Sequence, residues 1–129
     1  MSYNKGIKYN KYTFTRFANV VLINHPYGTG YSVFPDPKFI KAKNMISKMP
    51  YRFNTFIKNW FKKYPKYNKQ SFYYSGDSSQ GTFMPQCAIA AHKHFDSFGG
   101  RLKGIMIEGG LFDFNVIFQM LTNTHRLFH

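Results

Sequence analysis

The sequence predicts a single α/β domain in which a mixed β-sheet is flanked by helices, in the order β-β-[helical insert]-β-α-β-α. Three observations carry this. Short apolar runs bounded by glycine, proline and polar turn residues recur along the chain, as strands require. Between them the apolar period lengthens to that of helices. The 129 residues suit one core, and hydrophobic residues make up 43% of them, so the signature of disorder is not met. The domain is read as residues 19–129, with a basic helical insertion at 37–69 and a basic extended arm at 1–18 ahead of it.

Met1 to Arg16 is polar, basic and studded with tyrosines, with neither a helical nor a strand period. Asn19 to Asn24 (NVVLIN) is a β-branched apolar run, His25 to Gly30 (HPYGTG) has turn chemistry, and Tyr31 to Phe34 is a second short run, together a hairpin. From Pro37, which suits a first helical turn, Phe39, Ile40, Met45, Ile46 and Met49 fit one helical face. After Pro50, residues Phe53, Phe56, Ile57, Trp60 and Phe61 follow i, i+3, i+4, i+7, i+8, and Pro65 ends the segment. These two pieces read as a basic helical hairpin.

Gln70 to Tyr74 reads as a third strand, followed by the polar, glycine-containing loop Ser75 to Thr82. Pro85 to Phe98 has helical spacing through Ala88, Ala91, Phe95 and Phe98, and Gly99-Gly100 stops it. Leu102 to Ile107 (LKGIMI) reads as a strand, Gly109-Gly110 as a turn, and Phe114 to Leu121 as a closing helix. No internal repeat is present.

Charge dominates the composition. Eighteen Lys and Arg face five Asp and Glu, a formal net charge of +13, and between Met1 and Gln70 the only acid is Asp36. Such a bias points to a polyanionic partner, with nucleic acid first and an anionic membrane surface second. The richness in Phe, Tyr, Asn, Lys, Ile and Met fits an AT-rich genome, hence an organelle-encoded gene. Cys87 is the one cysteine, which offers neither a disulfide framework nor a Cys-x-x-Cys metal clip. The first residues lack the apolar core of a secretory signal and the look of a transit peptide, so a protein made within its organelle is expected.

Phosphate-neutralising residues are assigned to Lys5, Lys8, Lys11 and Arg16 in the arm and to Lys38, Lys41, Lys58, Lys62, Lys63, Lys66 and Lys69 in the insertion. The turn at Tyr27, Gly28 and Thr29 would bring backbone amides close to a phosphate, although it lacks P-loop or dinucleotide spacing and also reads as a plain hairpin turn. Ser75, Ser78, Ser79 and Thr82 lie just before a predicted helix, where a sugar-phosphate backbone would be gripped; a solvated loop is the alternative. Tyr3, Tyr9, Tyr12, Tyr64 and Tyr67 are candidates for stacking on unpaired bases. His92 and His94, two apart on a helix, point to different faces and do not form a metal pair with Cys87, so neither metal nor cofactor is expected. No carboxylate pair or supported nucleophile stands out, and the chain is read as no enzyme, with a metal-independent nuclease using His92 or His125 as the catalytic alternative.

The stretch Thr82-Phe83-Met84-Pro85-Gln86-Cys87-Ala88-Ile89-Ala90-Ala91-His92 resembles the segment of the bacterial small-subunit ribosomal protein eleven family that runs into an Ala-rich helix. Leu102 to Gly110 resembles that family's next strand and glycine-rich turn, and Asn19 to Asp36 its first hairpin. The resemblance covers about two-thirds of the chain; the insertion at 37–69 is extra and the family's basic C-terminal tail is missing. It implies a structural protein of the small-subunit platform of a mitochondrial ribosome, whose partners are rRNA and neighbouring ribosomal proteins, with no membrane and no small-molecule substrate. The 5S-rRNA-binding large-subunit protein eighteen family is a rival match, and a cationic membrane-surface protein is the reading outside the ribosome.

Overall fold

The computed structural model describes residues 6–33, 45–113 and 115–119. It confirms the α/β class. The elements are helix α1 (Met45–Lys63), strand β1 (Phe72–Asp77), helix α2 (Gln80–Phe95) and strand β2 (Leu102–Glu108). The strands pair in parallel, with Tyr74 opposite Ile105 and Asp77 opposite Glu108. A parallel pair needs a crossover, and α2 supplies it, which makes β1-α2-β2 a βαβ unit. Among the described residues the sheet has these two strands only.

Contact density divides the chain at Phe39 into two compact units. In the first, the arm residues carry a 3₁₀ turn (Phe14–Arg16), capped by the Thr13 hydroxyl accepting from the Thr15 N–H at 3.3 Å. The expected hairpin has its turn but no ladder. Thr29 Oγ1 donates to Pro26 O at 2.6 Å and the Tyr31 N–H donates to Asn24 Oδ1 at 3.0 Å, while residues 19–25 carry no strand pairing. Side-chain bonds to Asn24 do what cross-strand amides were expected to do. Phe34 lies outside the described residues.

In the second unit the helical hairpin expected at 37–69 is replaced, over the described part, by one helix. The residues from Pro37 to Asn44 are outside the description, and α1 runs straight through Pro50. Pro50 is only the sixth residue of α1, so its missing N–H removes a single bond at the opening of the helix. Pro85 holds the corresponding place in α2, which starts at Gln80, five residues ahead of the expected start.

The core lies where α1, β1 and α2 meet. Phe53, Ile57 and Phe61 of α1, Tyr74 of β1, Met84, Cys87 and Ala91 of α2, and Phe98 are buried. The α1 residues recur every fourth position, so one stripe faces inward. The Phe53 ring meets Tyr74 edge-on at 5.2 Å, and Phe72 contacts Phe61 at 5.1 Å and Phe98 at 5.4 Å. Each buried ring contributes about 1.5–3 kcal/mol through apolar burial, with roughly 0.5–1.5 kcal/mol more for a favourable ring pair.

Among the described residues one polar side chain is fully buried in this core. Asn54 donates through Nδ2 to Pro50 O at 2.8 Å and Cys87 O at 2.9 Å, and its Oδ1 accepts from the Tyr74 hydroxyl at 2.6 Å. The amide thus ties α1, β1 and α2 at one point. Burial pushes the Tyr74 hydroxyl well above its ordinary range, so it stays a donor.

Candidate active site at the strand-to-helix elbow

β1 ends at Asp77 and α2 begins at Gln80, so only Ser78 and Ser79 make the turn between them. A reversal in two residues demands unusual backbone. Ser78 takes it, with φ at 55° in the left-handed region that side chains disfavour. The turn is held in place by the end of β2: the Ser78 N–H donates to Glu108 O at 3.0 Å, and Ser78 O accepts from the N–H groups of Gly81 and Leu111, both at 2.9 Å. Thr82 Oγ1 donates to Leu111 O.

So tight a turn brings α2 against β1 and against the chain leaving β2. Gly81 is buried there, and a Cβ on it would stand 2.6 Å from Leu111 N and 2.7 Å from Gly110 Cα. A Cβ on Gly76 would stand 2.4 Å from Gln80 Cβ. Glycine at both positions is what lets the elbow close. Asp77, Ser78 and Ser79 remain exposed, so the Ser78 hydroxyl is presented at the carboxyl end of a parallel strand. Sharp strand-Gly-x-Ser-helix turns of this kind present nucleophilic serines, with the next residue's N–H as one oxyanion donor. Here that residue is Ser79, at the amino end of α2, where the helix dipole favours developing negative charge.

The structure gathers Ser75, Ser78, Ser79 and Thr82 around this elbow. Ser75 is exposed on β1, and Thr82 sits partly buried in the first turn of α2. Lys58, Lys62 and Lys63 lie exposed near the end of α1, and Lys66 and Lys69 follow it. Through the Phe61–Phe72 contact that end of α1 belongs to the amino end of β1, roughly 17 Å along the strand from the elbow. Lys8, Lys11 and Arg16 are exposed in the first unit, where Arg16 Nη1 donates to Lys11 O at 2.8 Å. Tyr27, Gly28 and Thr29 form the turn of that unit. Lys5, Lys38 and Lys41 lie outside the described residues.

Three other reactive side chains lie away from the elbow. Cys87 is fully buried in the core, and burial pushes its thiol up to about 12, so it is a packing residue. His92 and His94 are exposed at the far end of α2 from Ser78. The candidate site at Ser78 was hidden in the sequence because Gly76-Asp77-Ser78-Ser79-Gln80-Gly81 has the composition of a solvated loop. Its signal was positional: a Gly-x-Ser step directly between an apolar strand and a helix.

Comparison with known proteins agrees with this geometry. The serine carboxypeptidase family model matches residues 1–126. The pheromone-processing carboxypeptidases KEX1 of Chaetomium globosum and Uncinocarpus reesii are 29% and 31% identical over 110 and 113 residues, covering 83% and 82% of this chain and 17% of each relative. Serine carboxypeptidase-like 34 of Arabidopsis thaliana is 32% identical over 115 residues, covering 83% of the chain and 22% of that protein. The chain therefore spans about a fifth or less of the relatives it matches.

These matches overturn the ribosomal resemblance, whether to the small-subunit platform family or to the 5S-rRNA-binding one, because the shared pattern was only a strand, an Ala-rich helix and a strand ending in glycines, which any βαβ unit supplies. With it fall the structural role in translation, the rRNA and ribosomal-protein partners, and the mitochondrial ribosome as location. The reading as no enzyme and without a small substrate is corrected too, since the family is one of peptide hydrolases. The chain belongs to the serine carboxypeptidase family.

Proposed function

We propose that the protein acts as a serine carboxypeptidase on peptides with a free C-terminus, with Ser78 as the nucleophile. The left-handed Ser78, exposed between β1 and α2 with glycine on both sides of the turn, is the observation that carries this reading. In the acylation step Ser78 Oγ adds to the carbonyl carbon of the last peptide bond as its proton passes to a general base, and the developing oxyanion takes the Ser79 N–H. Collapse of the adduct expels the C-terminal amino acid as its amine, which receives that proton. Water then hydrolyses the serine ester to release the shortened peptide and restore the hydroxyl.

Ser78 supplies the nucleophile and Ser79 one amide donor; in α/β-hydrolases the acid and the histidine base follow the serine in chain order. β1 and β2, parallel and joined by α2, have the arrangement such enzymes use around the nucleophile, and this supports reading them as part of that fold. The test is release of the C-terminal residue from a peptide by the protein purified from its source, against a Ser78→Ala variant. Loss of activity by a factor of about 10⁴ or more is expected. Retention of activity would remove Ser78 from the mechanism.

A further inference from the structure

The backbone of Ser78 is held from outside its own elements. Its N–H donates to Glu108 O at 3.0 Å and its carbonyl accepts from the Leu111 N–H at 2.9 Å, so both of its polar backbone groups lean on the chain leaving β2. That support is not stiff by itself. Only Gly109 and Gly110 stand between Glu108 and Leu111, with Gly109 at φ 53°, and two glycines in a row place little restraint on where Leu111 lies. A left-handed serine persists only where its neighbours over-determine it.

One side chain supplies the missing restraint. Thr82, partly buried in the first turn of α2, donates its hydroxyl to Leu111 O. Leu111 is thus gripped at both polar groups, the N–H by Ser78 and the carbonyl by Thr82. The choice of partner is specific. A helical threonine ordinarily turns its hydroxyl back to the carbonyl three or four residues earlier, here that of Ser79 or Ser78. Ser78 O is already taken by the N–H groups of Gly81 and Leu111, and the Thr82 hydroxyl reaches instead to the far side of β2. We propose, on the reading of Ser78 as nucleophile, that Thr82 is a positioning residue for the reaction: by anchoring Leu111 it keeps the Leu111 N–H on Ser78 O and holds the Ser78 hydroxyl where it can attack.

The test compares Thr82→Val, which keeps the shape and removes the donor, with Thr82→Ser, which keeps the donor, both made in the protein's native source. The rate of fluorophosphonate labelling at Ser78 and the steady-state release of a C-terminal residue are measured. Thr82→Val should label about tenfold more slowly and lose about tenfold in kcat with KM unchanged, whereas Thr82→Ser should stay within about twofold of wild type. Asn54→Ala, which loosens the core through Pro50, Cys87 and Tyr74 without bonding to the elbow, is the control and should label at the wild-type rate while folded. Labelling of Thr82→Val at the wild-type rate, a Thr82→Ser variant as slow as Thr82→Val, a change in KM alone, or equal slowing by Asn54→Ala would overturn the proposal and leave Ser78 as nucleophile. A wild type in which Ser78 takes no label would overturn the nucleophile itself, and the role of Thr82 with it.

Discussion

The elbow and the outer face of α1 are specified in opposite ways. At the elbow small groups decide: two glycines, a serine in left-handed backbone and a set of amide hydrogen bonds set the turn between Asp77 and Gln80. On the outer face of α1, opposite the buried stripe, the backbone is ordinary helix and the pattern is carried by Lys48, Arg52, Lys58, Lys62 and Lys63, with no acid between Met45 and Gly76. The first kind of specification is stereochemical, and single atoms decide it. The second is electrostatic and accumulates over several side chains. The two regions should therefore respond differently to substitution.

The largest effect is expected for Ser78→Ala, which removes the hydroxyl proposed as the attacking group while leaving the fold intact. Next comes Gly81→Ala. The added carbon meets backbone atoms of Gly110 and Leu111, which cannot rotate away, so a loss of about 3 kcal/mol or more is expected in urea unfolding, together with loss of activity. Asn54→Ala should cost about 2–3 kcal/mol by the same measurement, because it leaves the buried Tyr74 hydroxyl without its acceptor. Ser78→Gly works in the other direction. It relieves the left-handed strain and should stabilise the protein by about 1 kcal/mol while abolishing activity, which separates the geometry of the elbow from its chemistry.

A pH-dependent effect sharpens the contrast from the side of the core. Cys87 has its thiol raised from about 9 to about 12 by burial, so the folded state keeps the proton that the unfolded chain loses. The unfolded state then binds fewer protons, and stability falls as pH rises from about 9 towards 12. Burial raises the Tyr74 hydroxyl in the same direction. Urea midpoints measured across this range should fall for the wild type, and less steeply for Cys87→Ala.

How far the sequence disclosed these features follows from the same contrast. Of the expected α1 stripe, Phe53, Ile57 and Phe61 are buried as their spacing implies, whereas Trp60 is half-buried and Phe56 is exposed. β2 was found nearly whole from LKGIMI, and the Gly109-Gly110 turn from its glycines. The elbow was not legible in this way. Ser78 differs from Ser75 or Ser79 only in its backbone, and the need for glycine at 76 and 81 comes from neighbours such as Leu111, thirty residues beyond Gly81. The glycine at 81 rather than 80 also departs from the commonest Gly-x-Ser-x-Gly spacing. The charge, by contrast, was conspicuous and drew the functional reading towards RNA, although net charge informs on association and solubility and says little about fold or chemistry.

The most direct test of the account is covalent labelling of the protein from its native source with a fluorophosphonate, followed by peptide mass spectrometry. An activated serine displaces fluoride from the phosphorus and is left esterified. The account predicts a single adduct, on Ser78 in the peptide that joins β1 to α2, and none after Ser78→Ala. An unlabelled Ser78, or an adduct on Ser75 or Ser79 in its place, would contradict it.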